Sequence, residues 1–158
     1  MTDSTVSHET TAPISYSPIP ELLTSPEEQF KHIVVKHPEN GIHELIFKDS
    51  TLETVDELFA YLIFLNSTVK PGQIYYQLWD ARVGLLPISK TIQESRKLLA
   101  RFPKMGAHRM AVIYPKRQNT MLQPGSVLLN MLPLGRLKIH YFSESNYDAA
   151  ITWLLSGK

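Results

Sequence analysis

YYQLWDARVGLLPISKTIQESRKLL, residues 75–99, is the stretch whose reading decides the fold class. It begins as an apolar strand, meets a carboxylate at Asp80, and becomes a helix with polar residues at its start. A second strand, AHRMAVIY at 107–114, follows the helix closely. A strand, a helix of ten to fifteen residues and another strand make a βαβ unit, and such units pair their strands in parallel. The spacing predicts a strand over Gln73–Trp79, a helix over Ser89–Phe102 and a strand over Ala107–Tyr114.

Downstream, the polar segment Lys116–Thr120 separates the second strand from a helix expected within Pro124–Leu132. A strand over Leu137–Phe142 and a last helix over Asn146–Leu155 complete the pattern. Upstream, Pro71-Gly72 breaks the chain. Before it, two β-rich runs, His32–Lys36 and Ile42–Phe47, flank Pro38-Glu39-Asn40-Gly41. Asn-Gly between such runs signals a hairpin. Ser50 with Glu53 three residues later reads as a capping box, opening a helix to about Asn66. Leu52, Val55, Leu58, Phe59, Leu62 and Ile63 give that helix a core stripe. Tyr61, Phe64 and Leu65 are left over, and they suggest a homodimer contact through this helix. The class is therefore α/β: a mixed sheet with an N-terminal antiparallel hairpin followed by βα units.

Residues 1–24, biased to Ser, Thr and Pro without periodicity, read as a flexible N-terminal arm. Residues 25–158 read as one domain, opening with a short helix start at Ser25-Pro26-Glu27-Glu28. The arm lacks a basic leader region and is not read as a secretory signal. The longest apolar run, LFAYLIFL at 58–65, is too short for a transmembrane helix. A net charge of +1 over 158 residues does not suggest nucleic-acid binding. The chain has no cysteine, so thiolate nucleophiles, disulfides and cysteine-based zinc sites are excluded. His32, His37 and His43 share the hairpin without zinc-type spacing, so no metal is expected. No nucleophile elbow, P-loop or dinucleotide fingerprint is present, and no cofactor is expected.

Ligands of open α/β sheets bind beyond the carboxyl ends of the strands. Asp80, Arg82, Ser89, Lys90, Lys116 and Arg117 should gather there, joined by Ser143. They would form a polar rim with cationic character, suited to an anion or an acidic partner segment. The alternative is that Asp80 accepts backbone N–H bonds from its own loop while the basic residues stay solvated. On that reading Ser89 or Thr91 caps the next helix.

The element order over residues 30–156 resembles the STAS domain, the fold of SpoIIAA-like anti-sigma-factor antagonists, and the broader STAS/SEC14-like group. The likeness rests on the hairpin, the strand ending in Asp80, the strand AHRMAVIYP and the closing LKIHYFSESNYDAAITWLL. In those antagonists a phosphorylatable Ser or Thr follows the central strand in a D-S-S/T-G-like motif. Ser89, nine residues after Asp80, falls on the motif's first Ser. Ile88 stands in place of its Asp, Lys90 in place of the phosphoacceptor and Thr91 in place of its Gly. The resemblance thus implies a cytoplasmic, bacterial, non-enzymatic regulatory or protein-interaction module without the usual phospho-switch. A small-molecule binding module, for a lipidic or anionic ligand, is the second expectation, and an enzyme the third.

Overall fold

Asn40 and Gly41 reverse the chain as their sequence requires. Gly41 adopts a φ of 76°, a conformation glycine enters without steric cost. Its N–H donates to the Pro38 carbonyl at 3.1 Å, and the Asn40 side chain accepts from the Ile42 N–H at 3.0 Å. The flanking strands β1 (Ile33–Lys36) and β2 (Ile42–Phe47) pair antiparallel, with Ile33 opposite Phe47. A computed structural model describes residues 29–68, 72–115 and 137–157. The helix start at Ser25, the arm at 1–24 and the helix expected within Pro124–Leu132 lie outside the described residues.

Helix α1 (Leu52–Ser67) starts one residue later than the Ser50–Glu53 box implies. Thr51 is the N-cap, and it exchanges hydrogen bonds with Thr54. Asp49 is the reason. Its carboxylate accepts from the Thr51 hydroxyl at 2.8 Å, the Thr51 N–H at 3.2 Å and the Thr54 hydroxyl, and it pairs with His32 Nδ1 at 2.7 Å. A carboxylate before a helix also faces the positive end of its dipole.

Beyond α1 come β3 (Ile74–Asp80), α2 (Ile88–Arg101), β4 (Ala107–Tyr114) and β5 (Leu137–Ser143). A turn of 3-10 helix (Glu144–Asn146) leads into α3 (Tyr147–Leu155). The five strands lie in the order β1-β2-β3-β4-β5, and β2 to β5 are parallel. The fold is α/β, with a five-stranded mixed sheet and three helices among the described residues.

The core has two halves, one on each face of the sheet. On one face α1 and α2 cover Ile33, Leu45, Phe47, Tyr75, Met110 and Val112. On the other, Ala150 and Leu154 of α3 cover Ile42, Tyr76, Leu78, Ala111 and Ile113. Arg109 holds the end of α3. Its guanidinium lies 4.0 Å from the Trp153 ring centroid and donates to the Trp153 carbonyl at 2.7 Å, where helix carbonyls lack partners.

The surplus face of α1 is a correction. Tyr61 is 0% and Leu65 4% exposed within this single chain, and Phe64 packs against the same core. Leu52, assigned to the core stripe, is instead 54% exposed. The stripe is rotated toward Tyr61 because β2 offers that side a polar partner: the Tyr61 hydroxyl lies 2.7 Å from His43 Nδ1. Of the three residues expected at a dimer interface, Tyr61 and Leu65 are thus buried within their own chain, and Phe64 is half-buried.

Candidate functional site

Asp80 closes β3 with its side chain on the α3 face, 3% exposed. Arg82 grips it with two charge-assisted bonds, Nε to Oδ1 at 2.8 Å and Nη2 to Oδ2 at 2.6 Å. The Arg82 N–H donates to the same carboxylate at 3.2 Å. The turn that follows closes when Gly84 N–H meets the Ala81 carbonyl at 3.0 Å. Gly84 has a φ of 150°, and a Cβ there would stand 3.0 Å from Ser50 Oγ, so the loop requires glycine to pass the start of α1. Close by, the Tyr147 hydroxyl donates to Glu44. Burial first, and then Glu44, raise the Tyr147 pKa and keep it a phenol.

The expected rim divides. Asp80 and Arg82 form a pair, but α2 lies on the opposite face of the sheet. Lys90 turns to α1 and to its own helix, bonding Asp56 at 2.9 Å and Glu94 at 3.1 Å. Ser89 is exposed on the first turn. Neither Ser89 nor Thr91 caps α2, whose N-cap residue is Pro87. Thr91 Oγ1 donates back to the Pro87 carbonyl at 2.8 Å. Ser143 bonds locally to Ser145 and Asn146. Lys116 and Arg117 lie outside the described residues. The sheet order adds a second reason. Strands β2 to β5 follow one another without a reversal, so no switch-point crevice opens beside Asp80.

The concave feature lies on the other face. Register places the side chains there in three rows: Tyr75, His108 and Leu137; His43, Gln77, Met110 and Ile139; Leu45, Trp79, Val112 and Tyr141. Helix α2 roofs the β3–β5 end of these rows with Ile88, Ile92, Ser95 and Leu98, leaving a cavity of about 130 Å³. Phe59 and Leu62 of α1 close its side, with Leu85 and Leu86 from the β3–α2 loop.

A polar chain is set into this apolar wall. Trp79 Nε1 donates to Gln77 Oε1 at 2.9 Å. An indole N–H only donates, so Oε1 faces Trp79 and the Gln77 amide nitrogen faces His108 Nδ1 at 2.7 Å. Asn66 donates its amide to the Leu62 carbonyl at 2.8 Å, turning its oxygen to His108 Nε2 at 3.3 Å. His108 therefore carries its proton on Nε2. Burial, with a smaller effect from His43, lowers its pKa to about 4. Gln77 is 0% and His108 4% exposed. Tyr141, at the outer end of the cavity, has its phenol pushed up to about 12 by burial.

Sequence reasoning did not single out these residues. A signal was present: period-two alternation puts Gln77 of β3 and His108 of β4 on one inward face of otherwise apolar strands. Their meeting depended on a register that no single strand specifies.

Among the described residues, no group of three His, Asp or Glu side chains is placed to hold a metal ion, and no helix is long and apolar enough to cross a membrane. Comparison of the chain with protein-family models, curated proteins and solved structures finds no match.

Proposed function

We propose that this chain is a non-enzymatic binding module whose ligand is a small, mainly apolar molecule held between the sheet and α2. The observation that carries the reading is the cavity of about 130 Å³ within an otherwise closely packed face. Natural interiors keep few voids larger than a water molecule, because empty apolar space forfeits dispersion contacts. Apolar cavities of about this size accept small apolar molecules, and this one opens to solvent, which gives such a molecule a way in. A binding role rather than catalysis is supported by the wall chemistry: Trp79, Gln77 and His108 spend their side-chain polar atoms on one another and on Asn66 behind them. Binding near the strand rim has less support, since Lys90 is engaged by Asp56 and Glu94.

The resemblance to STAS domains remains part of the proposal and suggests a cytoplasmic regulatory module whose output is contact with a protein. The half-exposed Ile88, on the first turn of α2 in the cavity wall, would be where a partner senses occupancy. Lys90, held by ion pairs at the phosphoacceptor position, makes ligand binding rather than phosphorylation the input.

Ser95→Leu tests the reading. Ser95 lines the cavity from α2, and its hydroxyl only donates back to the Thr91 carbonyl at 2.7 Å. Leucine fills the void and favours helix. The variant should melt a few degrees higher, at ~2–4 °C per kcal/mol for a chain of this size. Toluene should shift the Trp79 indole resonance in the wild type and leave it unmoved in Ser95→Leu. A wild-type spectrum indifferent to toluene sinks the reading.

A further inference from the structure

Resting on that binding reading, we infer that the ligand is neutral, about the size of a single aromatic ring, and bears one oxygen acceptor that meets the Tyr141 hydroxyl. The size follows from the volume, close to that of cavities that hold benzene.

Neutrality follows from the wall. Among the described residues no Lys, Arg, Asp or Glu lines the cavity, so a buried carboxylate or ammonium would face its desolvation cost without a counter-charge from them. His108 does not supply one, because it is neutral and its Nε2–H already serves Asn66.

The single acceptor follows from counting donors. Trp79 Nε1 is spent on Gln77, and the Gln77 amide on His108. The Thr91 hydroxyl donates to the Pro87 carbonyl, and that of Ser95 to the Thr91 carbonyl. The Tyr141 hydroxyl alone among these wall donors has no hydrogen-bond partner among the described residues, and burial keeps it protonated and able to donate. It shares a row with Val112 and Trp79, so an acceptor bound to it places the ligand's apolar body over Val112. A ketone, aldehyde or ether oxygen on an aromatic ring fits these terms.

The experiment compares acetophenone, toluene and benzoate by amide and indole chemical-shift titration, on the wild type and on Tyr141→Phe. Acetophenone should bind the wild type about fivefold more tightly than toluene, the worth of one net hydrogen bond. Benzoate should not bind. Tyr141→Phe should lose the preference for acetophenone and keep its affinity for toluene, which also shows that the variant is folded. Equal affinities for acetophenone and toluene in the wild type, a preference that survives in Tyr141→Phe, or tight benzoate binding would each overturn the assigned ligand class while leaving a binding cavity. No shift with any of the three would instead remove the cavity reading beneath it.

Discussion

His108 shows how one donor-only atom sets the state of a distant ring. Because Trp79 can only donate, the orientation of Gln77 is settled, and through it the neutral His108 tautomer. Protonating His108 would oppose its Nδ1–H to the Gln77 amide in a dry site. The consequence for stability has a definite sign. The folded pKa is about 4 against 6.5 in the unfolded chain, so the contribution is whole above pH 6.5 and fades as pH falls toward 4. The shift is on the order of 3 kcal/mol. His32 has the opposite sign: Asp49 raises its pKa, so its contribution is whole below 6.5 and fades as pH rises through the folded value. That pair is solvent-exposed and adds little. The urea midpoint should therefore climb from pH 4.5 to pH 7, and His108→Asn should flatten the climb. An unchanged slope in the variant would assign the titration elsewhere.

At the scale of elements, α1 and α3 are tied to the sheet by polar contacts, Glu57 and Tyr61 on α1 and Tyr147 and the Trp153 carbonyl on α3. Glu57 of α1 is the clearest. One carboxylate oxygen accepts from the Lys31 N–H at 2.8 Å, and the other from His32 at 2.8 Å and Ile33 at 3.0 Å. Three backbone donors entering an edge strand are thus satisfied by a single side chain from the helix above. Bonds to a charged acceptor are the stronger kind, and orphaned donors are costly. Glu57→Ala should destabilise the domain by about 2 kcal/mol, read by urea unfolding, and the Ile33 amide should lose protection from hydrogen exchange. A variant with wild-type protection at Ile33 would show that β1 holds its place through Leu45 and Phe47 alone.

Over the whole molecule, the described helices divide between the faces of a sequentially ordered sheet, α1 and α2 together on one and α3 on the other. The shared face is wide, and the cavity lies at its β3–β5 end, running from His108 and Leu137 at the amino edge of the sheet to Ala81 and the β3–α2 loop at its carboxyl edge. The same arrangement explains the fate of Tyr61 and Leu65: with β1 and β2 extending the sheet, α1 has enough surface to bury a stripe rotated past Leu62. Leu65→Glu would place a charge in that core, so its melting temperature should fall by about 10 °C or more, with no separable change of molar mass by light scattering. A variant as stable as the wild type with half its molar mass would return Leu65 to an interface between copies.

Local chemistry was legible in the chain wherever a few neighbouring residues decide the outcome. Asn40-Gly41 specifies a turn that needs positive φ. Ala107–Tyr114 reads as a strand with the bounds it has in the structure. The alternation of apolar strands with helices dictates parallel pairing for β3 to β5, and the structure extends it to β2. The start of α1 was off by one residue, because Thr51, Thr54 and Asp49 together outcompete Ser50. Which side of α1 turns inward, that Asp80 answers to Arg82 while Lys90 answers to Asp56, and that Gln77 reaches His108 were decided by packing alone. Apart from Asp80 and Arg82, which are two positions apart, such contacts join residues 18 to 34 positions apart across separate elements. Periodicity ranks faces by their apolar content, whereas a buried polar pair such as His43 with Tyr61 is favoured only once register has brought its two halves within hydrogen-bond reach.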